Sequence, residues 1–218
     1  MKTMQILARL LLPLLLAAAT ASAARADAID DAVRSVQHRW EQVTYQAAAA
    51  SRQQMLEELA ADAQKLSARY PDRAEPLVWE GIVVSSLAGE KGGLGALGLA
   101  KRARACYEKS IGIDDRALEG SAYNSLGVLY YRVPGWPIGF GDRKKADELI
   151  RKALAINPGG IDPNYFYGDF LLGSGRPAEA LPYLQRALDA PPRPGREIAD
   201  KGRRAEAAAL QEKARSQM

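Results

Sequence analysis

The spacing of apolar and small residues repeats itself in the second half of the chain. Between Gly127 and Pro158, an alanine is followed by an aliphatic residue after four positions, a second alanine after seven and the proline after twelve. The stretch from Gly168 to Pro192 has the same spacings. Apolar residues three and four positions apart form one face of a helix, and proline ends a helix because it lacks the amide hydrogen. Each stretch therefore predicts a hairpin of two helices.

The glycine of each hairpin marks where its two helices meet. Helices pack about 8–10 Å apart, and small residues give the close end of that range. A third glycine, Gly81, has a related pattern downstream, with Ala103 in the alanine position. Because one hairpin cannot bury its apolar face alone, such repeats stack on one another. The sequence therefore predicts an all-α fold of stacked helical hairpins, without a sheet.

One helical domain accounts for residues 27–218. A chain of that length is enough for one continuous core. The first part predicts two helices that end before Pro71, without the glycine of the later hairpins, and the end units of repeat arrays are often atypical. The predicted parts are an N-terminal hairpin at 27–71, repeats at 74–115, 120–158 and 162–192, and a closing helix at 195–218.

Two insertions separate the helices of the first two repeats. The sequence AGEKGGLGALG adds about ten residues to the repeat, and glycine at this density predicts a flexible loop. The sequence RVPGWPIGFGDR adds about seven, and its prolines and glycines exclude a helix. Because this second loop is apolar, we expect it to fold back onto the protein. It would either cover the open end of the helix stack or line a ligand site with Trp136 and Phe140.

Residues 1–26 have the pattern of a secretory signal peptide. Lys2 and Arg9 precede and flank an apolar run that is too short to span a bilayer, and alanines follow at two alternative cleavage positions. We expect a periplasmic protein without stable membrane insertion after cleavage. The chain as a whole has a net charge of +4, but the mature part would carry 27 basic and 26 acidic residues. Nucleic-acid binding is therefore not predicted.

The chemistry-bearing residues do not form a recognisable catalytic set. Cys106 is the only cysteine and His38 the only histidine of the chain. Neither a His-based triad nor a metal site can be assembled from them in sequence, so we expect no enzyme activity and no cofactor. Cys106 is expected to be a buried structural thiol. The basic C-terminal run is interleaved with acidic residues and is interpreted as a solvated helix face with ion pairs: Arg193, Arg196, Glu197, Asp200, Lys201, Arg203, Arg204 and Glu206.

The hairpins resemble the tetratricopeptide repeat (TPR), which implies a short right-handed solenoid. The stretches YNSLGVLYYRVPGWPIGFGD, KKADELIRKALAINP, DPNYFYGDFLL and ALPYLQRAL are similar to one group of such proteins, the T component associated with TRAP transporters (TatT). The similarity extends from Leu77 to the C-terminus. It implies a periplasmic protein that binds a small hydrophobic ligand or a solute-binding partner protein of a transporter. This sequence departs from the group in having no lipoprotein cysteine at its start.

The resemblance also implies which residues face the groove. In such repeats the first helix of each hairpin lines the inner surface, at fixed distances from the small residue. With the loop residues, the candidate site is Asn124, Tyr131, Arg132, Trp136, Phe140, Tyr165 and Asp169. Aromatic residues with a polar tip and arginine dominate interface energetics. The alternative is that the tyrosines only pack between repeats, and that Arg132 and Asp169 only pair with each other.

Two functions remain open at this stage. The first is a scaffold that holds a partner protein in the groove. The second is a carrier of a small hydrophobic ligand in a pore or pocket under the Gly-rich and aromatic loops.

Overall fold

The structure, a computed structural model, describes residues 28–218, so the signal peptide interpretation lies outside the described part of the chain. Of the described residues, 28–35 belong to one unit and are helical, and 36–218 form the second unit. Residues 28–218 form nine α-helices and no strand. The helices are α1 (28–45), α2 (Ala49–Arg69), α3 (Ala74–Lys91), α4 (Gly93–Ile113), α5 (Ala117–Arg132), α6 (Arg143–Ile156), α7 (Ile161–Leu172), α8 (Pro177–Asp189) and α9 (Glu197–Arg215).

Three helix pairs, α3 with α4, α5 with α6 and α7 with α8, form the hairpins predicted from the glycine spacing. In each pair the glycine of the first helix lies directly against a large side chain of the second. A Cβ atom on Gly81, Gly127 or Gly168 would lie within 3 Å of the side chain of Tyr107, Ile150 or Leu184, respectively. Ala153 and Ala187 of the second helices are also fully buried. The fold is therefore all-α and built of stacked hairpins, as predicted.

The Gly-rich segment of the first repeat is not a loop. Helix α3 continues to Lys91 and α4 begins at Gly93, so only Gly92, with φ of 58°, separates them. The prediction was wrong because leucine and alanine, which favour helix, alternate with these glycines. The inserted residues therefore lengthen both helices of this hairpin. Helix α7 has Gly160 as its N-cap residue and Asp162 in its first turn.

The aromatic loop, residues 133–141, folds back only in part. Phe140 stacks edge-on against Tyr130 with ring centroids 5.5 Å apart, and the guanidinium group of Arg104 lies over its ring. Trp136 is 90% exposed and Ile138 is 68% exposed. The expectation that the whole loop would cover apolar surface was therefore wrong for its tip.

Helix α9 buries a largely polar face. Ala205 and Ala209 of this helix are exposed. The helix packs on α7 and α8 through another face: Ala199, Asp200, Arg203, Ala207, Gln211 and Ala214. The interpretation of this region as a solvated face was wrong, because several of its charged side chains are enclosed. In the described part of the chain, no helix combines the length and apolarity needed to cross a membrane.

Candidate binding cavity

Two adjoining cavities lie along the first helices of the hairpins. One has a volume of about 510 Å³ and the other of about 600 Å³. We name them the apolar chamber and the polar chamber. Seven of the described residues line both chambers: Trp79, Ile82, Ser121, Asn124, Asp162, Arg193 and Arg196.

Aromatic and aliphatic side chains form most of the wall of the apolar chamber. Trp40 of α1 and Trp79 of α3 meet edge-on with ring centroids 5.8 Å apart. The indole Nε1 of Trp40 donates a hydrogen bond of 2.8 Å to the Ser86 hydroxyl. The apolar lining consists chiefly of Trp40, Trp79, Ile82, Leu97, Val128, Leu129, Val133, Ile138 and Phe166.

The polar chamber lies between the start of α5, the start of α7 and the proline-rich linker before α9. Leu118 and Glu119 on its wall have φ of 47° and 56°, in the left-handed region that non-glycine residues rarely adopt. The Asn157 side-chain amide donates a 2.6 Å hydrogen bond to Glu119, which ties this turn to the end of α6. Such strained positions are found preferentially at functional sites.

The C-terminal segment supplies a wall of both chambers. Arg196, in the linker before α9, donates a hydrogen bond to the carboxylate of Glu41 in α1, which is 1% exposed. The Arg196 guanidinium group also lies over the Trp79 ring, 5.5 Å from its centroid. The segment that follows α8 therefore reaches across to the N-terminal hairpin. Sequence analysis placed this segment as a closing helix and did not predict that it lines the cavity.

A partly buried ion-pair network holds this wall in place. Asp162 of α7 accepts hydrogen bonds of 2.6 Å from Arg193 and 2.8 Å from Arg203, and Asp200 accepts one of 2.7 Å from Arg193. Burial alone would raise the pKa of Asp162, but the guanidinium groups of Arg203 and Arg193 outweigh it and lower the pKa to about 2. Asp162 is therefore ionised at neutral pH, and its charge is compensated inside the protein.

Two tyrosines and the single cysteine keep their protons at neutral pH. Burial raises the pKa of Tyr45 and Tyr165 to about 12, and the Arg203 guanidinium group lies 4.5 Å above the Tyr165 ring. Burial likewise raises the pKa of the Cys106 thiol to about 12. The expectation of a buried thiol is thus confirmed. A neutral thiol is a poor nucleophile.

Two described residues that line both chambers each carry a fully buried polar atom without a partner. Among the described residues, neither the indole Nε1 of Trp79 nor the side-chain Oδ1 of Asn124 has a hydrogen-bond partner. Trp79 is 4% exposed and Asn124 is 5% exposed, and both line both chambers. More than nine in ten buried polar groups in proteins are partnered, so two on one cavity wall are unusual.

The structure brings some of the predicted site residues to the cavity and places others beside it. Asn124 and Arg132 line the apolar chamber. Tyr165 is buried beneath Arg203 on α9, and Trp136 points into solvent. Phe140 is fixed against Tyr130, as described above.

Tyr131, Arg132 and Asp169 form one cluster between α5 and α7. The Tyr131 hydroxyl donates a hydrogen bond to Asp169, and Arg132 forms a 2.5 Å ion pair with the same carboxylate. Arg132 and Asp169 therefore pair with each other, as the alternative interpretation of the sequence predicted. Burial and the neighbouring Asp169 charge raise the pKa of Tyr131.

Sequence reasoning missed the tryptophans and the α9 arginines of the cavity wall. The rule that selected Asn124 and Arg132 takes the residues three before the glycine, one after it, and four or five after it. Applied to Gly81, it gives Val78, Ile82, Ser85 and Ser86, and the last three line the apolar chamber. That signal was present in the sequence. The buried charges of α9 have no comparable signal, because alternating acidic and basic residues are typical of an exposed helix face.

The fold and its inner cavity define the class of the protein: it has the tetratricopeptide-repeat fold. A thermophilic TPR protein of Thermus thermophilus, TTC0263, superposes with a TM-score of 0.55 and 15% sequence identity, covering 83% of this chain and 99% of its own. Two structures of MamA, both 19% identical, have TM-scores of 0.46 and 0.44 and cover 79% and 74% of this chain, and 95% and 82% of their own. No protein-family model and no curated protein matches the chain.

Proposed function

We propose that the protein is a periplasmic, non-enzymatic scaffold that holds a partner protein at the mouth of the apolar chamber. One observation carries this proposal. Trp136 and Ile138 stand out from the aromatic loop with 90% and 68% of their surface exposed, while Ile138 and Pro134 of the same loop line the chamber. Large exposed apolar side chains on one loop mark interaction sites, and tryptophan is enriched among the residues that dominate binding energy.

The location and the partner class rest on sequence. The pattern of residues 1–26 supports export, and the resemblance to TatT supports a solute-binding protein of a transporter as the partner. Export is tested by fusing residues 1–27 to alkaline phosphatase, which folds to an active enzyme only after leaving the cytoplasm. An inactive, cytoplasmic fusion would contradict the periplasmic assignment.

The docking site is tested by replacing Trp136 with a photo-cross-linking amino acid in cells that produce the protein. We expect one discrete cross-linked protein, identified by mass spectrometry as an exported solute-binding protein. The matched control places the cross-linker at Ile113, which is also apolar and 39% exposed but lies at the end of α4. Identical products from both positions would show that the aromatic loop is not a specific docking site.

A second function, carriage of a small apolar ligand, is favoured by a different observation. The apolar chamber, with about 510 Å³ of space and mainly aromatic and aliphatic walls, falls in the range of small-molecule sites, about 300–1,000 Å³. Both inserted segments line this pocket. Gly89, Gly93 and Leu97 come from the Gly-rich segment, which is helical, and Pro134 and Ile138 come from the aromatic loop. The two functions are compatible, because the exposed loop lies at the edge of the chamber.

A further inference from the structure

We propose that the partner held at the aromatic loop is an acidic protein, whose docking face has an apolar pocket for Trp136 inside a rim of carboxylates. The inference rests on the scaffold function proposed above and adds the chemistry of the partner. Three features lead to it: the closed backbone of the loop, the basic side chains fixed around its base, and the incomplete compensation of their charge.

The aromatic loop holds its exposed tip on a closed backbone. The Gly141 amide donates a hydrogen bond of 2.9 Å to the Pro134 carbonyl oxygen and so joins the two ends of the loop. A Cβ atom on Gly141 would overlap the Val133 carbonyl oxygen, so this close approach requires glycine. Trp136 therefore stands on a backbone that is already ordered, and binding it costs little conformational entropy.

Five basic residues surround the base of this loop, and we call them the basic collar: Arg104, Arg132, Arg143, Lys144 and Lys145. Arg132 directly precedes the loop, and the run from 143 to 145 opens α6 just after it. Arg104 reaches the loop from α4, because its guanidinium group lies 5.2 Å from the centroid of the Phe140 ring. The collar therefore places positive charge on several sides of the apolar tip.

Neutral groups fix two members of the collar in place. The Lys145 ammonium group lies 4.5 Å from the centroid of the Tyr130 ring. The Arg143 guanidinium group donates a 2.8 Å hydrogen bond to the Gly173 carbonyl oxygen and lies over the Phe170 ring. Aromatic faces and carbonyl oxygens attract a cation without neutralising its charge. Both exposed side chains can therefore still pair with carboxylates of another molecule.

The protein compensates the charge of the collar only in part. Arg104 pairs with Glu108 and Arg132 with Asp169, and the aspartate that caps α6 adds a third carboxylate. In the described part of the chain, the three cations at 143–145 form no ion pair. A net positive rim around an apolar tip is complementary to an apolar pocket with an acidic rim, and such complementarity orients a partner and excludes wrong ones.

The same features favour a protein over a lipid surface. Basic clusters that bind anionic membranes contain about four to eight lysines and arginines. Within the described residues, only the three at 143–145 of the collar are without a carboxylate partner. Cations in fixed positions match carboxylates in fixed positions, which a folded protein offers and mobile lipid head groups do not. Tryptophan is also enriched among the residues that fill a pocket on a partner protein.

The test compares two lysines of α6 with similar surroundings. Lys145 and Lys152 are both exposed, and their ammonium groups lie 4.5 Å and 5.4 Å from the centroids of the Tyr130 and Tyr123 rings. Only Lys145 belongs to the basic collar. The probe is the protein that the cross-linker at Trp136 identifies, purified and titrated with the purified protein and its variants.

We expect a graded loss of affinity at Lys145. Lys145→Gln should weaken binding by up to about fivefold, the limit for one exposed ion pair. Lys145→Glu should weaken it about tenfold, because a negative charge then faces the carboxylates of the partner. Melting should not change, since an acidic side chain in the first turn suits the helix dipole. Lys152→Glu, two turns further along α6, should change affinity less than about twofold.

A charge exchange completes the test. Replacing one carboxylate of the partner's docking face with lysine should restore its binding to Lys145→Glu. Equal affinities of Lys145→Glu and Lys152→Glu would overturn the acidic partner and leave the docking function intact, whereas the lack of any discrete product from Trp136 would overturn both. A cross-linked product of twice the protein's own mass would assign the loop to a second copy. Binding to phosphatidylglycerol vesicles that Lys145→Glu abolishes would assign it to an anionic membrane, and either result would overturn the inference.

Discussion

Different forces stabilise the hairpin seams and the C-terminal wall. A seam is the contact between the two helices of one hairpin, and the C-terminal wall is the part of the cavity wall formed by α9 and the linker before it. In the seams, a glycine or alanine lies against a large apolar side chain, as Gly127 does against Ile150. In the wall, α9 and its linker dock through carboxylates and guanidinium groups, such as Asp162 with Arg203. Apolar packing depends on shape and is fixed by the spacing of small residues along one helix pair. The ion pairs depend on partners that are distant in sequence, and removing one partner leaves the other buried with its charge.

The largest loss of stability is expected when the central cation of the C-terminal wall, Arg203, is removed. Arg203→Ala should lower the free energy of unfolding by about 2–4 kcal/mol, because Asp162 keeps only Arg193 and the Tyr165 ring loses its cover. The measurement is urea unfolding at pH 7. Lys201→Ala, on the exposed face of the same helix, is the control and should change stability little. A loss below about 1 kcal/mol for Arg203→Ala would mean that the wall does not depend on its ion pairs.

Overfilling a seam should have the next largest effect. Ala187 is fully buried in α8, so Ala187→Leu should cost about 1–3 kcal/mol through displaced neighbours. The same substitution at the exposed Ala178 of α8 serves as the control. The two urea midpoints are compared directly. Equal midpoints would contradict the packing described for this hairpin.

Acid should weaken the wall before it weakens the seams. The folded pKa of Asp162, about 2, lies below its ordinary value of 3.8, so its stabilising contribution is present above about pH 4 and is lost as the pH falls towards 2. The loss amounts to about 1–2 kcal/mol, since the side chain is partly exposed. Urea midpoints at pH 5 and pH 3 should differ less for Asp162→Asn than for the wild type. An identical pH dependence of both proteins would refute this contribution.

The smallest effect is expected for a pair at the surface. Arg132 is 59% exposed where it pairs with Asp169, so Arg132→Ala should cost no more than about 1 kcal/mol. Thermal melting at low and high salt checks this, because salt screens an exposed pair. If Arg132→Ala lowered the free energy of unfolding as much as Arg203→Ala, exposed and enclosed ion pairs would contribute equally, which would contradict the prediction.

The same contrast explains what the sequence could predict. The hairpins followed from the spacing of Gly127, Gly168 and their alanines, because helix packing leaves a periodic trace in one short stretch. The inner positions of α3 and α5 follow the same rule. In α7 the rule selects Tyr165, but the structure has α9 over this residue and exposes Asp162 and Phe166 to the chamber instead. A contact between segments that are far apart in sequence produces no periodic pattern of residues. The part of the cavity wall formed by α9 could therefore be found only from the structure.

The Gly-rich segment teaches a related point about single residues. Glycine density suggested a loop, yet one residue, Gly92, is enough to separate two long helices. The leucines and alanines between the glycines favour helix and decide the local structure. The exposure of Trp136 could not be predicted, because nothing in the sequence of an apolar loop indicates whether its tip packs inward or stays exposed.

The hydrogen bond from Arg196 to Glu41 joins residues 155 positions apart. In an ordinary repeat array each unit contacts only its neighbours, so the end units can fray while the middle stays folded. Here a late segment is fastened to an early helix, and opening one end disturbs the other. Closing so long a loop costs entropy that grows only with the logarithm of its length. The array should therefore melt as one cooperative unit, with amide exchange in α9 as slow as in the hairpins.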